Sequence, residues 1–237
     1  MRYHLSYIIY SEDKCMLITD KLGVPGDHAL LSPGVVGPLE VRLLVPKGAR
    51  RDYVALIGHP HSLQGGTMNN KVVTTLARVF HDLGVASIRC NFRGVGQSFG
   101  VYDAGVGESE DLLVLARACL EANPETKLLF AGFSFGSYVA YRAAAACEHA
   151  LLITVAPSVH HYDYSAYTPE PTPWIVVQGD EDELIPLPLI LDFVKRTSPP
   201  KPFLCFANTT HFFHGKLVEL KSRLTDAICA EVPDLCP

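Results

Sequence analysis

Short apolar runs alternate with amphipathic stretches along most of this 237-residue chain. Tyr53 to Gly58, Val85 to Cys90, Leu128 to Ala131, Leu151 to Val155, Trp174 to Val177 and Pro202 to Phe206 are short and almost wholly apolar. Such runs predict strands buried on both faces. Leu39 to Val45 alternates in part, as a half-buried strand does, and Pro46 to Arg51 then makes a turn. Helices are predicted over Thr67 to Leu83, Glu108 to Ala122, Ser137 to Ala146, near Leu187 to Arg196, and over Lys216 to Ala230. Val72, Val73, Leu76, Ala77 and Phe80 form the inner face of the first. Apolar strands between helices predict an α/β fold, with a mostly parallel central sheet and helices on both faces. No repeat, low-complexity tract or long linker divides the chain. Residues 1–27 are the least readable part, either an extra hairpin or an ordered arm, and stand as an N-terminal extension of unclear role before one domain over residues 28–237.

Composition narrows the classes. Hydrophobic residues make up 48% and charged residues 19%, so a sizeable core is expected and disorder is not. The net charge is -5 and no basic stripe appears, which argues against a nucleic-acid partner. The apolar patch from Leu5 to Tyr10 is too short for a signal-peptide core or a membrane span. A cytoplasmic protein with no membrane partner is expected. The seven scattered cysteines form no C-x-x-C pair and are odd in number; they read as reduced thiols.

Candidate chemistry centres on Gly132-Phe133-Ser134-Phe135-Gly136. The pentapeptide joins the apolar run ending at Ala131 to the helical run starting at Ser137, so a serine sits on a strand-to-helix turn. A strained turn of this kind needs glycine where neighbours come too close for a side chain. The start of the helix also aims unpaired N–H groups at the place where negative charge would develop. A serine hydroxyl is a poor nucleophile and needs a base. Gly179-Asp180-Glu181-Asp182 follows one strand and His211 follows the last. Each alone reads as a turn, cap or surface residue. Both lie at carboxyl ends of strands, where parallel sheets gather their chemistry.

With these residues in place the chain resembles the α/β-hydrolase superfamily of serine hydrolases. It is similar to small, lidless bacterial esterase-like and dienelactone-hydrolase-like proteins. The resemblance covers about residues 35–230. It also rests on His59-Pro60-His61-Ser62-Leu63-Gln64-Gly65-Gly66-Thr67, Asn91-Phe92-Arg93-Gly94-Val95-Gly96-Gln97-Ser98, and His211-Phe212-Phe213-His214-Gly215. It implies an α/β-hydrolase fold without a large cap domain. It implies Ser134 as nucleophile, His211 as base and Asp182 as the acid, with Asp180 the alternative. The backbone N–H groups of His61 and Phe135 would form the oxyanion hole, since Pro60 has no N–H. His214 packs against or caps the last helix. The expected reaction is cleavage of a small-molecule carboxylic ester or thioester through an acyl-enzyme.

Other readings stay beside this one. The same residues suit a peptidase, an amidase or an acyltransferase, and a non-catalytic binding protein could keep the fold. His59-x-His61, His160-His161 and His211-x-x-His214 match no metalloenzyme arrangement, so neither metal nor cofactor is expected. Gly94-x-Gly96 reads as a tight turn, and Arg93 with Asp103 and Glu108 as a structural ion pair. The segment from Pro157 to Pro173 either walls the substrate pocket or packs as a surface loop. The oligomeric state is not legible in the sequence.

Overall fold

The computed structural model describes residues 18–197 and 201–236. Eight strands form one sheet: β1 (Gly26–Pro33), β2 (Pro38–Val45), β3 (Arg50–Gly58), β4 (Val85–Cys90), β5 (Lys127–Phe133), β6 (Leu151–Val155), β7 (Trp174–Gly179) and β8 (Phe203–Phe206). Their order is β1-β2-β4-β3-β5-β6-β7-β8. β2 runs antiparallel to β1 and β4, and every other pairing is parallel. Five helices connect them: α1 (Lys71–Asp82), α2 (Val106–Ala122), α3 (Phe135–Ala145), α4 (Leu187–Arg196) and α5 (Leu217–Glu231).

The burial pattern explains this arrangement. β4, β6 and β7 are buried at every position, as strands covered on both faces must be. β2 buries only Leu39, Val41, Leu43 and Val45, in strict alternation, because it lies near the sheet edge. α1 turns Val72, Val73, Leu76, Ala77, Val79 and Phe80 inward, and α5 turns Leu220, Leu224 and Ile228. Crossovers between parallel strands are right-handed. The chain steps from β3 outward to β4, then back past β3 to β5 and onward to β8. That reversal puts α1 on one face and α2, α3 and α4 on the other. α5 returns to pack on α1, while α2 packs on α3. Among the described residues no large cap domain interrupts the sheet. No described helix is long and apolar enough to cross a membrane.

Local chemistry shifts some boundaries. α1 begins at Lys71, not Thr67, because the Asn70 side chain accepts the Val72 N–H at 2.8 Å. Met68 is instead held to the Asn91 side chain through its N–H, at 2.9 Å. α2 begins two residues before Glu108, whose buried carboxylate accepts the N–H groups of Asp103 and Gly105 at 2.8 and 2.9 Å. β1 was not expected from the sequence. A short 3-10 turn over Ile18–Asp20 precedes it and buries Ile18. Residues 1–17 lie outside the described residues.

The expectation of reduced cysteines fails at one place. Cys229 of α5 and Cys236 form a disulfide, their Cα atoms 5.5 Å apart. After the helix the 3-10 turn Pro233–Leu235 folds the chain back and buries Leu235. That return brings together two cysteines whose spacing has no signature. Cys90, Cys119, Cys147 and Cys205 are free thiols. Burial pushes Cys90 and Cys119 up to about 12, so neither is a nucleophile near neutral pH. Cys15 lies outside the described residues.

Candidate active site

The order reversal at β3 decides where a cleft opens. The loop leaving β3 turns toward α1, and the loop leaving β5 turns toward α3 on the opposite face. Between them lies a crevice at the carboxyl ends of the strands. His61 stands on the first loop and Ser134 on the second.

Ser134 is the sharp residue of the β5–α3 turn, with φ 55 and ψ -119. Its N–H donates to the Val155 carbonyl at 2.8 Å. The Ser137 hydroxyl braces the turn from below, 2.8 Å from the Gly132 oxygen and 2.9 Å from the Val155 oxygen. The turn is so tight that α3 rests on the sheet backbone. A Cβ on Gly58 would stand 2.7 Å from the Gly136 oxygen, and one on Gly132 would stand 2.5 Å from the Ser137 nitrogen. These contacts explain the glycines on either side of the serine. Phe135 is the first residue of α3, so its N–H has no partner inside the helix.

The acid turn and the histidine loop are laced together. The Glu181 N–H donates to the Thr209 carbonyl at 3.1 Å, and the Thr209 N–H to Asp180 at 3.3 Å. The His211 N–H donates to Glu183 at 3.1 Å. Asp180 thus ties the loops and stays exposed. Asp182 is the residue that faces the imidazole. Its Oδ2 lies 2.8 Å from His211 Nδ1 and accepts from Gln178 Nε2 at 2.9 Å. Its Oδ1 accepts the N–H groups of Leu184 and Ile185 at 2.9 and 2.7 Å. Asp182 is 5% exposed and His211 1%. A carboxylate accepts only, so His211 Nδ1 carries the proton and Nε2 is left bare. Nε2 lies 3.1 Å from Ser134 Oγ. A base is thereby aimed at a hydroxyl and backed by a buried anion. His214 is exposed, its ring stacked against Phe212.

The cleft above Ser134 has a volume of about 440 Å³. His61, Gln64, Ser158, His160, His161 and Tyr162 give it polar walls, and Phe135, Leu184 and Ile185 apolar ones. Burial pulls the His61 and His160 imidazoles below their ordinary pKa, so both are neutral donors or acceptors at pH 7. The segment from Pro157 to Pro173 does two jobs. Its first half lines the cleft. Its second half packs, with Tyr164 against Trp174 and Phe193, and Tyr167 against Tyr141.

Other candidates resolve into structure. Arg93 is buried, its Nε 2.9 Å from Asp111 and its NH1 3.8 Å from Asp103. Asp111, not Glu108, is its closest anion. Gly94 and Gly96 adopt φ of 79 and 57 in a tight turn closed by the Ser98 and Phe92 carbonyls. Sequence reasoning missed Gln178, which is fully buried and orients Asp182. A polar residue inside an otherwise apolar strand was the only available signal.

No protein-family model matches the chain. An α/β serine hydrolase homologue from Coxiella burnetii is 44% identical, with a TM-score of 0.81 over 85% of this chain and 97% of its own. An α/β serine hydrolase without lid from Xanthomonas campestris is 39% identical, with a TM-score of 0.83 over 87% of this chain and 95% of its own. An uncharacterized protein of Rickettsia prowazekii is 34% identical over 183 residues, 73% of this chain and 77% of its own.

Proposed function

This chain belongs to the lidless α/β serine hydrolases, and on that premise we propose that it cleaves carboxylic esters or thioesters through an acyl-enzyme on Ser134. One observation carries the reading: the chain of contacts from Ser134 Oγ to His211 Nε2 at 3.1 Å, and from His211 Nδ1 to Asp182 at 2.8 Å. Ser134 Oγ attacks the substrate carbonyl as His211 takes its proton. The imidazolium forms beside the Asp182 carboxylate, which stabilises it and fixes the ring's orientation. The N–H groups of His61 and Phe135 hold the oxyanion. His211 then protonates the leaving alcohol or thiol, and an acyl group stays on Ser134. Water, deprotonated by His211, attacks in turn and releases the acid.

The walls point to the kind of substrate. A polar, open cleft of this size suits a short or polar acyl group. Nothing among its lining residues resembles a long apolar channel. The partner is therefore a small-molecule ester or thioester, and the residues supply the whole reaction without a cofactor.

The test is intact-mass analysis after exposure to a fluorophosphonate, with Ser134→Ala alongside. A single adduct on the wild-type protein only is expected. The variant should lose kcat/KM on 4-nitrophenyl acetate by about a million-fold. A folded wild-type protein that takes no adduct, or a variant that keeps its activity, overturns the reading.

A further inference from the structure

Oxyanion stabilisation needs the His61 N–H to point at the reacting oxygen, and a loop peptide can rotate unless something holds it. We propose that His59 is the positioning residue that locks the Pro60–His61 peptide in its hydrogen-bonding orientation, an inference that rests on the acyl-enzyme reading above.

The Pro60 carbonyl and the His61 N–H belong to one peptide unit. That unit is trans, so the two groups point in opposite directions. Whatever fixes the carbonyl therefore aims the N–H. His59 Nδ1 lies 2.7 Å from the Pro60 oxygen. The other ring nitrogen, Nε2, lies 2.9 Å from the Phe92 N–H. A backbone N–H can only donate and a carbonyl can only accept. Both partners thus impose the same tautomer, with the proton on Nδ1 and Nε2 bare. The ring is 0% exposed and lies against Phe92, centroids 4.1 Å apart. Burial holds it neutral, pushing its pKa down to about 4. With both nitrogens engaged, His59 has no lone pair free for a metal.

A second contact bounds the same carbonyl from another side. A Cβ on Gly66 would overlap the Pro60 oxygen and stand 2.5 Å from its carbon. The Gly66 N–H also donates to the His61 carbonyl at 3.0 Å. The Pro60 oxygen is thus clamped between an imidazole N–H and a bare glycine Cα. The two proposed oxyanion donors are linked as well, since a Cβ on Gly136 would lie 2.5 Å from the His59 oxygen. The backbone of His59 therefore rests on the residue that follows Phe135.

Three variants test the lock: His59→Gln, His59→Asn and Gly66→Ala. A glutamine carboxamide oxygen reaches the place of Nε2 and keeps the Phe92 bond, but leaves the Pro60 oxygen without its donor. An asparagine amide reaches the place of Nδ1 and keeps that donor. Gly66→Ala presses on the same carbonyl with His59 intact. The readouts are crystal structures, the rate of fluorophosphonate labelling, and kcat and KM on 4-nitrophenyl acetate. His59→Gln and Gly66→Ala should show a rotated Pro60–His61 peptide, labelling slowed by about 100-fold, and KM near wild type. His59→Asn should stay within about tenfold of wild type. An unmoved peptide with wild-type labelling in His59→Gln and Gly66→Ala overturns the lock. So does an equal loss in both His59 variants that tracks their fall in Tm. Nitrogen-15 spectra of the wild-type imidazoles give an independent check, and a proton on His59 Nε2 would also refute it. Should the wild-type protein take no label while the peptide rotates as expected, the lock stands and the acyl-enzyme reading falls.

Discussion

The two ends of the sheet solve the same backbone problem differently. Chain reversals into β3 and β4, at the amino ends, place Gly48 and Gly84 at φ 67 and 75, with open space where a Cβ would sit. At the carboxyl ends, Ala104, Ser134, Ala156, Asn208 and Phe213 all take φ between 47 and 55. Among the described residues these are the non-glycine positions in that region. Glycine takes positive φ at little steric cost, whereas a residue with a Cβ held there costs about 1–3 kcal/mol. The amino end needs only the turn. The carboxyl end uses glycines too, as at Gly94 and Gly96, but at five turns it carries side chains, and its surroundings hold them: the Ser134 and Ala156 N–H groups donate to the Val155 and Val177 carbonyls, and Phe213 is fully buried. Strain concentrated at one end marks where this fold is organised for something beyond folding.

The comparison can be broken most directly at Ser134. Ser134→Gly should abolish labelling and lower kcat/KM by about a million-fold, yet raise stability by about 1 kcal/mol, because φ 55 is easy for glycine. Urea unfolding checks the sign, and a less stable variant would show that the turn is not strained. Acid should cost the carboxyl end next. His59 binds a proton at pH 6.5 when unfolded and only near pH 4 when folded. Between those values the unfolded state binds more protons, so stability is full above about pH 6.5 and falls as the pH drops toward 4. The loss at pH 4 is about 3 kcal/mol. His59→Asn carries no such titration, so its stability gap to wild type should shrink from pH 7 to pH 4.5. A constant gap would remove His59 from the acid response. Gly84→Ala has the smallest expected effect. It should lose about 1 kcal/mol in urea unfolding through its positive φ and label at the wild-type rate. Slowed labelling would mean that the two ends are coupled.

The sequence pattern carried most of the fold. Val85–Cys90, Leu151–Val155 and Leu187–Arg196 begin and end where apolar runs and turn residues predict. Long-range contacts hid the rest. β1 holds Gly26, Asp27, His28 and Pro33 and buries only Leu30 and Ser32, so neither periodicity nor propensity marks it; its pairing with β2 makes it a strand. The site divides along the same line. Ser134, Asp182 and His211 stand at strand ends in a recognisable order. Asp180 and Asp182 look alike in the sequence and differ in the turn geometry, which sends one to Thr209 and the other to His211. Gln178 offers only its polarity inside an apolar strand, and the contact of His59 Nδ1 with the Pro60 oxygen offers nothing at all, because the meaning of both lies in which atom they touch.

The uncapped cleft has a kinetic consequence. Among the described residues no lid stands over the cleft, so the proposed cycle would be paced by bond making or by product departure and not by closure. In that cycle an acyl group left on Ser134 would meet bulk solvent from the moment it forms. Water would then outnumber any alcohol waiting to receive that group, which would favour hydrolysis over transfer.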